Sequence, residues 1–534
     1  MKNGKLLFIF CGLVFSIYII YGLFFPHIPH IRPDDFWEIS RAHFLLKYHR
    51  LGDPMFPDEI SPMMASLYNI TIASRFLGLI KTGSQAFFIG LLPIEDVYAF
   101  RLTSFAWSLL VCFLTYKLAL KAGLNKNTSL LSAALLIITP EFFSQLHTQR
   151  PEMMITAAFL AGLLVFNSIL KTEDGWKKIT CLFFSGIYGW FAAFTIHPNA
   201  IVIPVTLGFV YLVSEYKKIF SLNTFIFGLT LLGGAYYFNY LMNAPVHQSM
   251  MEGGGDFLRV QGPPVLRLGL KIILLFPVIF YNKFAGYNEF AKPVSLFFFL
   301  FSCISFYFLF KRRKIFFANH NLKILGLGII APLIILILLS GSNGHYHIIY
   351  FPLCSILIAS AIHEFVFKES KIKLTLFLGG SLCIFFLSGF RGLSREMKYT
   401  REYERITDEA KKTITDNKAI VIGNGIFYGC FSDRIFYSNS GLSPSIGKRD
   451  QSYEESVRKV NANYVIIDEY FVQKMNKTRK KEWMDDMFAF LDKNCQLIKE
   501  IKSDYYFKQK KPGKAHPKQQ MELQGKIKIY KVIT

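Results

Sequence analysis

Side chains able to move a proton or hold an anion fall in a few short polar turns of a chain that is otherwise strongly apolar. The first turn is Ile31-Arg32-Pro33-Asp34-Asp35-Phe36-Trp37-Glu38-Ile39-Ser40-Arg41, directly after the apolar run 6–25. Two adjacent carboxylates beside the end of a membrane helix sit where burial and nearby cations tune their proton affinity, and where a lipid headgroup arrives. The same pair also fits a solvated helix start, because Pro33 suits a first helical position and acids favour a first turn. A second polar turn, 140–152, carries Glu141, Arg150 and Glu152. A third, 195–199, carries His197, and a fourth, 341–347, carries His345, Tyr346 and His347. A carboxylate can take the proton of an attacking group, and the planar fork of arginine matches phosphate oxygens while staying charged. Plainer uses stand beside these. Arg150 suits a snorkelling anchor, His197 a satisfied turn histidine, and His345 and His347 the interfacial belt around Tyr346. Paired histidines could ligate a metal, yet no nearby acid completes a ligand set in sequence.

The elements that must position these turns are membrane helices. The chain has 534 residues, 52% of them hydrophobic and 16% aromatic, with a mean hydropathy of +0.32. Apolar runs this long and continuous predict a polytopic, all-α membrane part, since helices satisfy their own backbone in lipid and barrel strands are shorter and alternating. The formal net charge of +23 is spent at the ends of those runs, where basic residues set topology and meet anionic lipid, so it gives no reason to expect a nucleic-acid partner.

Lys2 and Lys5 precede 6–25, which lacks a small-residue cleavage site and reads as an uncleaved first helix with a cytoplasmic N-terminus. Lysine clusters then recur at 117–126, 171–178, 217–218, 311–314 and 368–373, and every one falls on the same side if the intervening runs span. The run 265–280 carries Arg267 and Lys271 one turn apart and reads as an interfacial helix on the outer side. The total is about eleven crossings at the usual ~20 residues each. On this topology the first outer loop is 26–98, with helices lying along the membrane surface, and all the polar turns named above face outward.

Beyond residue 391 the composition turns polar. Strand patterns at 419–423, 463–468 and 526–532, with helical stretches at 403–413 and 480–492, predict a small extracytoplasmic α/β domain, 391–534, behind a membrane domain, 1–390. Gly423-Asn424-Gly425 after a strand lacks the third glycine of a dinucleotide loop and reads as a strand-ending turn. Six of the eight cysteines lie in apolar runs; Cys430 and Cys495 are in the tail, where a disulfide stays open. Asn69-Ile70-Thr71 forms a glycosylation triplet of the kind that also arises by chance.

The order of three features within the topology resembles the GT-C glycosyltransferases: an opening membrane helix; an acidic pair followed at helical spacing by Ser40-Arg41-Ala42; and Arg150-Pro151-Glu152 at the outer start of a later helix. Gly344-His345-Tyr346-His347-Ile348-Ile349-Tyr350-Phe351-Pro352 is similar to the turn before a late span in that family. The nearest branch is that of the bacterial aminoarabinose transferases and the dolichyl-phosphate-mannose protein mannosyltransferases. The likeness covers roughly 6–390 and extends loosely to the tail.

It implies an enzyme, a glycosyltransferase of the cytoplasmic membrane that transfers a sugar with inversion from a polyisoprenyl-phosphate donor to a lipid, glycan or protein acceptor. On the matching positions it implies Asp34 as the catalytic acidic residue and Asp35 as its follower. Arg150, with His197, His345 and His347, would lie toward the donor phosphate, and Glu152, Glu141 and Tyr346 toward the acceptor. No cofactor is required, and a divalent metal stays open. The chain departs from the family at His197, where many relatives carry a Lys. A transporter or flippase for lipid-linked glycan, or an O-antigen ligase or polymerase, are the rival readings. Transporters favour repeats and charges at mid-membrane, and ligases a large late outer loop.

Overall fold

The computed structural model describes residues 2–24, 33–49, 78–94, 96–139, 142–143, 146, 151–173, 175–218, 220–242, 307, 320–339, 348–363, 371–439, 452–468, 471–472, 481–503 and 525–533. In chain order they form α1 (Lys2–Phe24), α2 (Pro33–Tyr48), α3 (Leu79–Leu91), α4 (Asp96–Lys121), α5 (Lys126–Ile138), α6 (Glu152–Leu170), α7 (Gly175–Thr195), a 3-10 turn (Pro198–Ile201), α8 (Val202–Ser214), α9 (Leu222–Met242), α10 (His320–Leu339), α11 (Phe351–Ile362) and α12 (Lys371–Thr413). There follow β1 (Val421–Gly423), a second 3-10 turn (Gly425–Cys430), β2 (Phe436–Ser438), α13 (Tyr453–Lys459), β3 (Tyr464–Asp468), α14 (Lys481–Asn494), β4 (Cys495–Lys502) and β5 (Lys526–Val532). The chain divides into two compact units. The first comprises Met1–Pro26, Arg101–Leu241 and Gly255–Gly392, the second His27–Phe100, Met242–Gly254 and Leu393–Thr534. The expected interfacial helix at 265–280 lies outside the described residues.

The first unit is helical, as the apolar runs demand. Among the described residues three helices are long and apolar enough to cross a membrane, Lys5–Phe24, Val97–Lys121 and Glu152–Leu170, and shorter apolar helices such as Lys126–Ile138 and Ile348–Ile362 accompany them. α5 lies at the centre, with Leu131 and Leu135 to Ile137 fully buried. Its start is capped by the Asn125 side chain, which accepts from the Thr128 N–H at 2.9 Å. Several buried hydroxyls are satisfied within their own helices. Ser132 donates to the Ser129 carbonyl and Thr195 to that of Phe191, as a site without water requires. α7 and α8 approach closely at Gly189, where a Cβ would stand 2.9 Å from Pro204 Cα.

Lysines gather at one end of this unit and bond helix C-terminal groups. Lys121 Nζ donates to the Leu164 carbonyl at 3.0 Å near the end of α6, and Lys323 Nζ to the Val213 carbonyl at 2.8 Å near the end of α8. Lys178, at the start of α7, pairs with Glu215 just beyond α8 at 3.0 Å. The starts of α6 and α8 lie at the opposite end.

The second unit is built on a five-stranded sheet in the order β2-β1-β3-β5-β4, with β1 parallel to both β2 and β3, and β5 antiparallel to β3 and β4. Period-two alternation sends successive residues to two cores. Val421, Ile466, Ile527 and Ile529 face a core shared with Ile39 and Ala42 of α2, Ala86 and Ile89 of α3, and Tyr403, Ile406 and Ala410 of α12. Ile422, Val465 and Ile467 face the other, with Val457 of α13 and Met484, Met487 and Leu491 of α14. α13 opens with a capping box between Ser452 and Glu455. The segment that carries α2 and α3 is thus part of the same packed layer as the tail.

Two strands lie outside the sequence expectation. β2 is only three residues long, and β4, on the sheet edge, alternates poorly because charged side chains occupy an exposed edge. α12 runs unbroken for 43 residues, joining what hydropathy divides into a last apolar run and a separate polar helix. β1 ends at Gly423 in a turn that leads directly into the second 3-10 turn, and Cys430 and Cys495 are free thiols.

Candidate active site

Asp34 and Asp35 occupy the first turn of α2, opened by Pro33, whose fixed φ suits that position and whose missing N–H costs nothing there. The positive end of the helix favours carboxylates at these two places. The 3.6-residue repeat puts position 34 in line with 38 and 41, and position 35 in line with 39 and 42. Ile39 and Ala42 are buried in the core, whereas Glu38 and Arg41 form a polar line beside them.

Glu38 is the centre of that line. Its Oε1 lies 2.5 Å from Lys81 Nζ on α3 and 3.8 Å from Arg41 Nη1, with its side chain only 14% exposed and that of Lys81 10%. Burial by itself would raise the Glu38 carboxyl. The charges of Lys81 and then Arg41, with the Lys81 hydrogen bond, outweigh it and hold the group below the usual glutamate value. Gln85, one turn beyond Lys81, is fully buried, and neither atom of its amide has a hydrogen-bond partner among the described residues. Further along α2, His43 Nδ1 lies 3.0 Å from the Tyr428 hydroxyl, so the turn at 425–430 grips the helix on another side. The acidic pair therefore stands on a helix tied to α3 by an ion pair and to the tail by a hydrogen bond.

In the first unit, Glu152 opens α6 immediately after Pro151, is 1% exposed, and has its carbonyl bonded by Thr156 Oγ1 at 2.6 Å. α7 runs back along α6, which brings the end of α7 to the start of α6. There His197 caps the 3-10 turn, its Nδ1 accepting from the Asn199 N–H at 3.1 Å, so the neutral ring carries its proton on Nε2. Asn199 is buried, and its side-chain Nδ2 finds no acceptor among the described residues. The structure thus brings Glu152 and His197 to one end of one unit, the end opposite the lysines, and carries Asp34 and Asp35 in the other unit. Arg150, Glu141, His345, Tyr346 and His347 lie outside the described residues.

Sequence reasoning passed over three groups. Lys81 and Gln85 lie in a stretch with no motif, and the pairing of Lys81 with Glu38 spans 43 residues. Arg101, 3% exposed near the head of an apolar helix, had a legible signal: an ionisable residue inside a predicted span is by default a functional candidate. Among the described residues no three His, Cys, Asp or Glu side chains converge as a metal site would require.

The sequence matches no protein-family model and no curated protein. Two solved structures match it over nearly their whole length. ArnT from Cupriavidus metallidurans bound to undecaprenyl phosphate is 10% identical, with a TM-score of 0.59 over 91% of this chain and 96% of that one. The same protein in the apo state is 9% identical, with a TM-score of 0.57 over 91% and 95%. The chain has the GT-C fold. At such low identity the GT-C likeness is one of backbone architecture, carried by apolar patterning that many sequences satisfy. The chemistry of a GT-C fold has to be argued from this chain's own side chains. The oligosaccharyltransferase AglB from Archaeoglobus fulgidus, in complex with an inhibitory peptide and a dolichol-phosphate, matches at 12% identity and a TM-score of 0.49 over 91% of this chain and 71% of that one.

Proposed function

We propose that the protein is a glycosyltransferase of the cytoplasmic membrane. It moves a sugar from a polyisoprenyl-phosphate donor to a lipid, glycan or protein acceptor on the outer side, with about eleven crossings at the usual ~20 residues each, the N-terminus in the cytoplasm and the tail outside. One observation carries this reading: a chain that matches ArnT, itself solved with undecaprenyl phosphate, over 91% of its length also has an acidic pair opening the helix that follows its first apolar helix.

In this mechanism the Asp34 carboxylate takes the proton of the acceptor as its oxygen or nitrogen attacks the anomeric carbon. The bond from that carbon to the phosphate oxygen breaks in the same displacement, so the configuration inverts and the phosphate leaves on its lipid. Asp35 supports the base. Arg150 holds the departing phosphate, where a fixed, always-charged fork stabilises the charge that develops, and His197, His345 and His347 assist. Glu152, Glu141 and Tyr346 line the acceptor side. No step uses a cofactor.

The test is transfer of label from radiolabelled polyprenyl-phosphate sugars to membrane acceptors, wild type against Asp34→Asn at matched expression. Loss of transfer with donor binding retained is the expected result. Full activity in the variant would remove Asp34 as the base. Absence of transfer from every donor by the wild type would favour a transporter of lipid-linked glycan.

A further inference from the structure

Lys121, the last residue of α4, reaches across to the end of α6, where its Nζ donates to the Leu164 carbonyl at 3.0 Å and to the Ser168 hydroxyl. Lys171, directly beyond α6, is near enough for the two ammonium groups to repel each other. Lys117, one turn before Lys121 on α4, adds a third positive charge, its Nζ 5.4 Å from the centre of the Phe113 ring. Lys117 and Lys171 are exposed and Lys121 is half-buried, so a ligand can reach this cluster from outside. Among the described residues none of the three lysines forms an ion pair, and Glu173, exposed two residues beyond Lys171, makes none either. Along the same two helices, about 9–12 Å before these ends, Phe113 and Val165 are 54% and 59% exposed.

Like charges gathered without a counter-charge carry a cost that a bound anion removes. Helix C-terminal carbonyls would oppose an anion here, but those at the end of α6 are already engaged. Lys121 takes that of Leu164, the Lys171 N–H at 3.1 Å and the Thr172 hydroxyl at 3.3 Å take that of Ser168, and the Thr172 N–H takes that of Ile169 at 3.0 Å. Lys121 spends two of its three protons on α6 and keeps one. Capping of α6 accounts for Lys121 alone, because neither the Lys117 nor the Lys171 ammonium bonds a helix end among the described residues. What the two helices present together is a positive head above exposed apolar side chains, the complement of a lipid with a negative headgroup.

We propose that this end of α4 and α6 binds an anionic glycerophospholipid, its phosphate held between Lys121 and Lys171 with Lys117 alongside, and its acyl chains running over Phe113 and Val165. A zwitterionic lipid is selected against, because its own cation would join three already there. The site lies at the end of the unit opposite Glu152 and His197. It is independent of the glycosyltransferase reading and needs only that this unit lie in a membrane.

The test uses the full chain in a non-ionic detergent and native mass spectrometry, with dioleoyl phosphatidylglycerol and dioleoyl phosphatidylcholine as probes. Wild type is expected to retain the anionic lipid about tenfold better or more. Lys171→Gln is expected to lower that preference about fivefold, the share of one lysine beside a charged headgroup, and Lys117→Gln with Lys171→Gln to remove most of it. Both side chains are exposed, so the unfolding temperature should not change. Lys217→Gln removes an exposed charge from the same end of the unit but from another turn, and is expected to leave the preference intact. Equal retention of the two lipids by the wild type would overturn the proposal. So would an equal loss in Lys217→Gln and Lys171→Gln, which would mean diffuse attraction to the whole basic end. Displacement of the anionic lipid by inorganic phosphate in excess would assign the lysines to a free anion and overturn it too.

Discussion

Lys81 Nζ lies 2.5 Å from Glu38 Oε1, and this contact ties α3 to the helix whose first turn carries Asp34 and Asp35. Both partners are largely withdrawn from water, so each needs the other. The attraction roughly offsets the cost of burying two charges, but a lone survivor would face that cost uncompensated.

Lys81→Met and Glu38→Gln should therefore each destabilise the protein by about 3 kcal/mol, while the double variant should recover most of the loss. Thermal unfolding of the three variants in one detergent would measure it. Additive losses would mean that the pair is not coupled.

Acid should weaken the same link. The Glu38 carboxyl is held below its ordinary value, about 4.3, by Lys81 and Arg41 against the opposing pull of burial. A depressed folded-state value contributes stability that is present above the unfolded value and is lost as pH falls through the folded one. The contribution of Glu38 should thus be fully present and independent of pH near neutrality, and should decline below about pH 4.3. Unfolding temperatures across that window, wild type against Glu38→Gln, should converge as the pH falls.

Tyr428→Phe removes the hydroxyl that meets His43 Nδ1 at 3.0 Å and leaves the ring in place. A loss of about 1 kcal/mol is expected. If the hydrogen bond holds α2 in the register that transfer needs, the variant should also transfer more slowly at unchanged donor binding. Single-turnover transfer by the variant would decide between the two effects.

Ile39→Ala would open a cavity between α2 and the sheet, where Ile39 is 1% exposed. The cost should be about 2–5 kcal/mol, measured by thermal unfolding. By the same packing, deletion of 393–534 should abolish transfer, because it strips the cover from Ile39, Ala42, Ala86 and Ile89. Retained transfer by that truncation would show that α2 holds its place without the tail.

Gly189→Val should disrupt the first unit, since its Cβ would stand 2.9 Å from the Pro204 Cα and backbone cannot yield as a flexible side-chain tip can. Reduced yield of folded protein, with Gly233→Ala as an unaffected control, is the expected outcome.

By itself the sequence determined the class of the protein, because continuous apolar runs can satisfy their backbone in lipid only as helices. Lysines at the ends of apolar runs were legible too, and among the described residues Lys121, Lys178 and Lys323 lie at one end of the first unit. Strands β1 and β3 were legible as short continuous runs of β-branched residues, buried on both faces, and β5 by its period-two alternation, whereas β4 was hidden by the charges that protect an edge. The acidic pair was legible as a helix start.

Only the tertiary structure decided what that helix rests on. Ile39 and Ala42 could have faced lipid, solvent or protein; they join Tyr403, Ile466 and Ile529 in one core, and His43 reaches Tyr428 across 385 residues. Periodicity is a local property that shows which face of an element is apolar. Which other face covers it depends on complementary shape and charge between segments far apart in the chain, and that match is settled only when the whole unit packs.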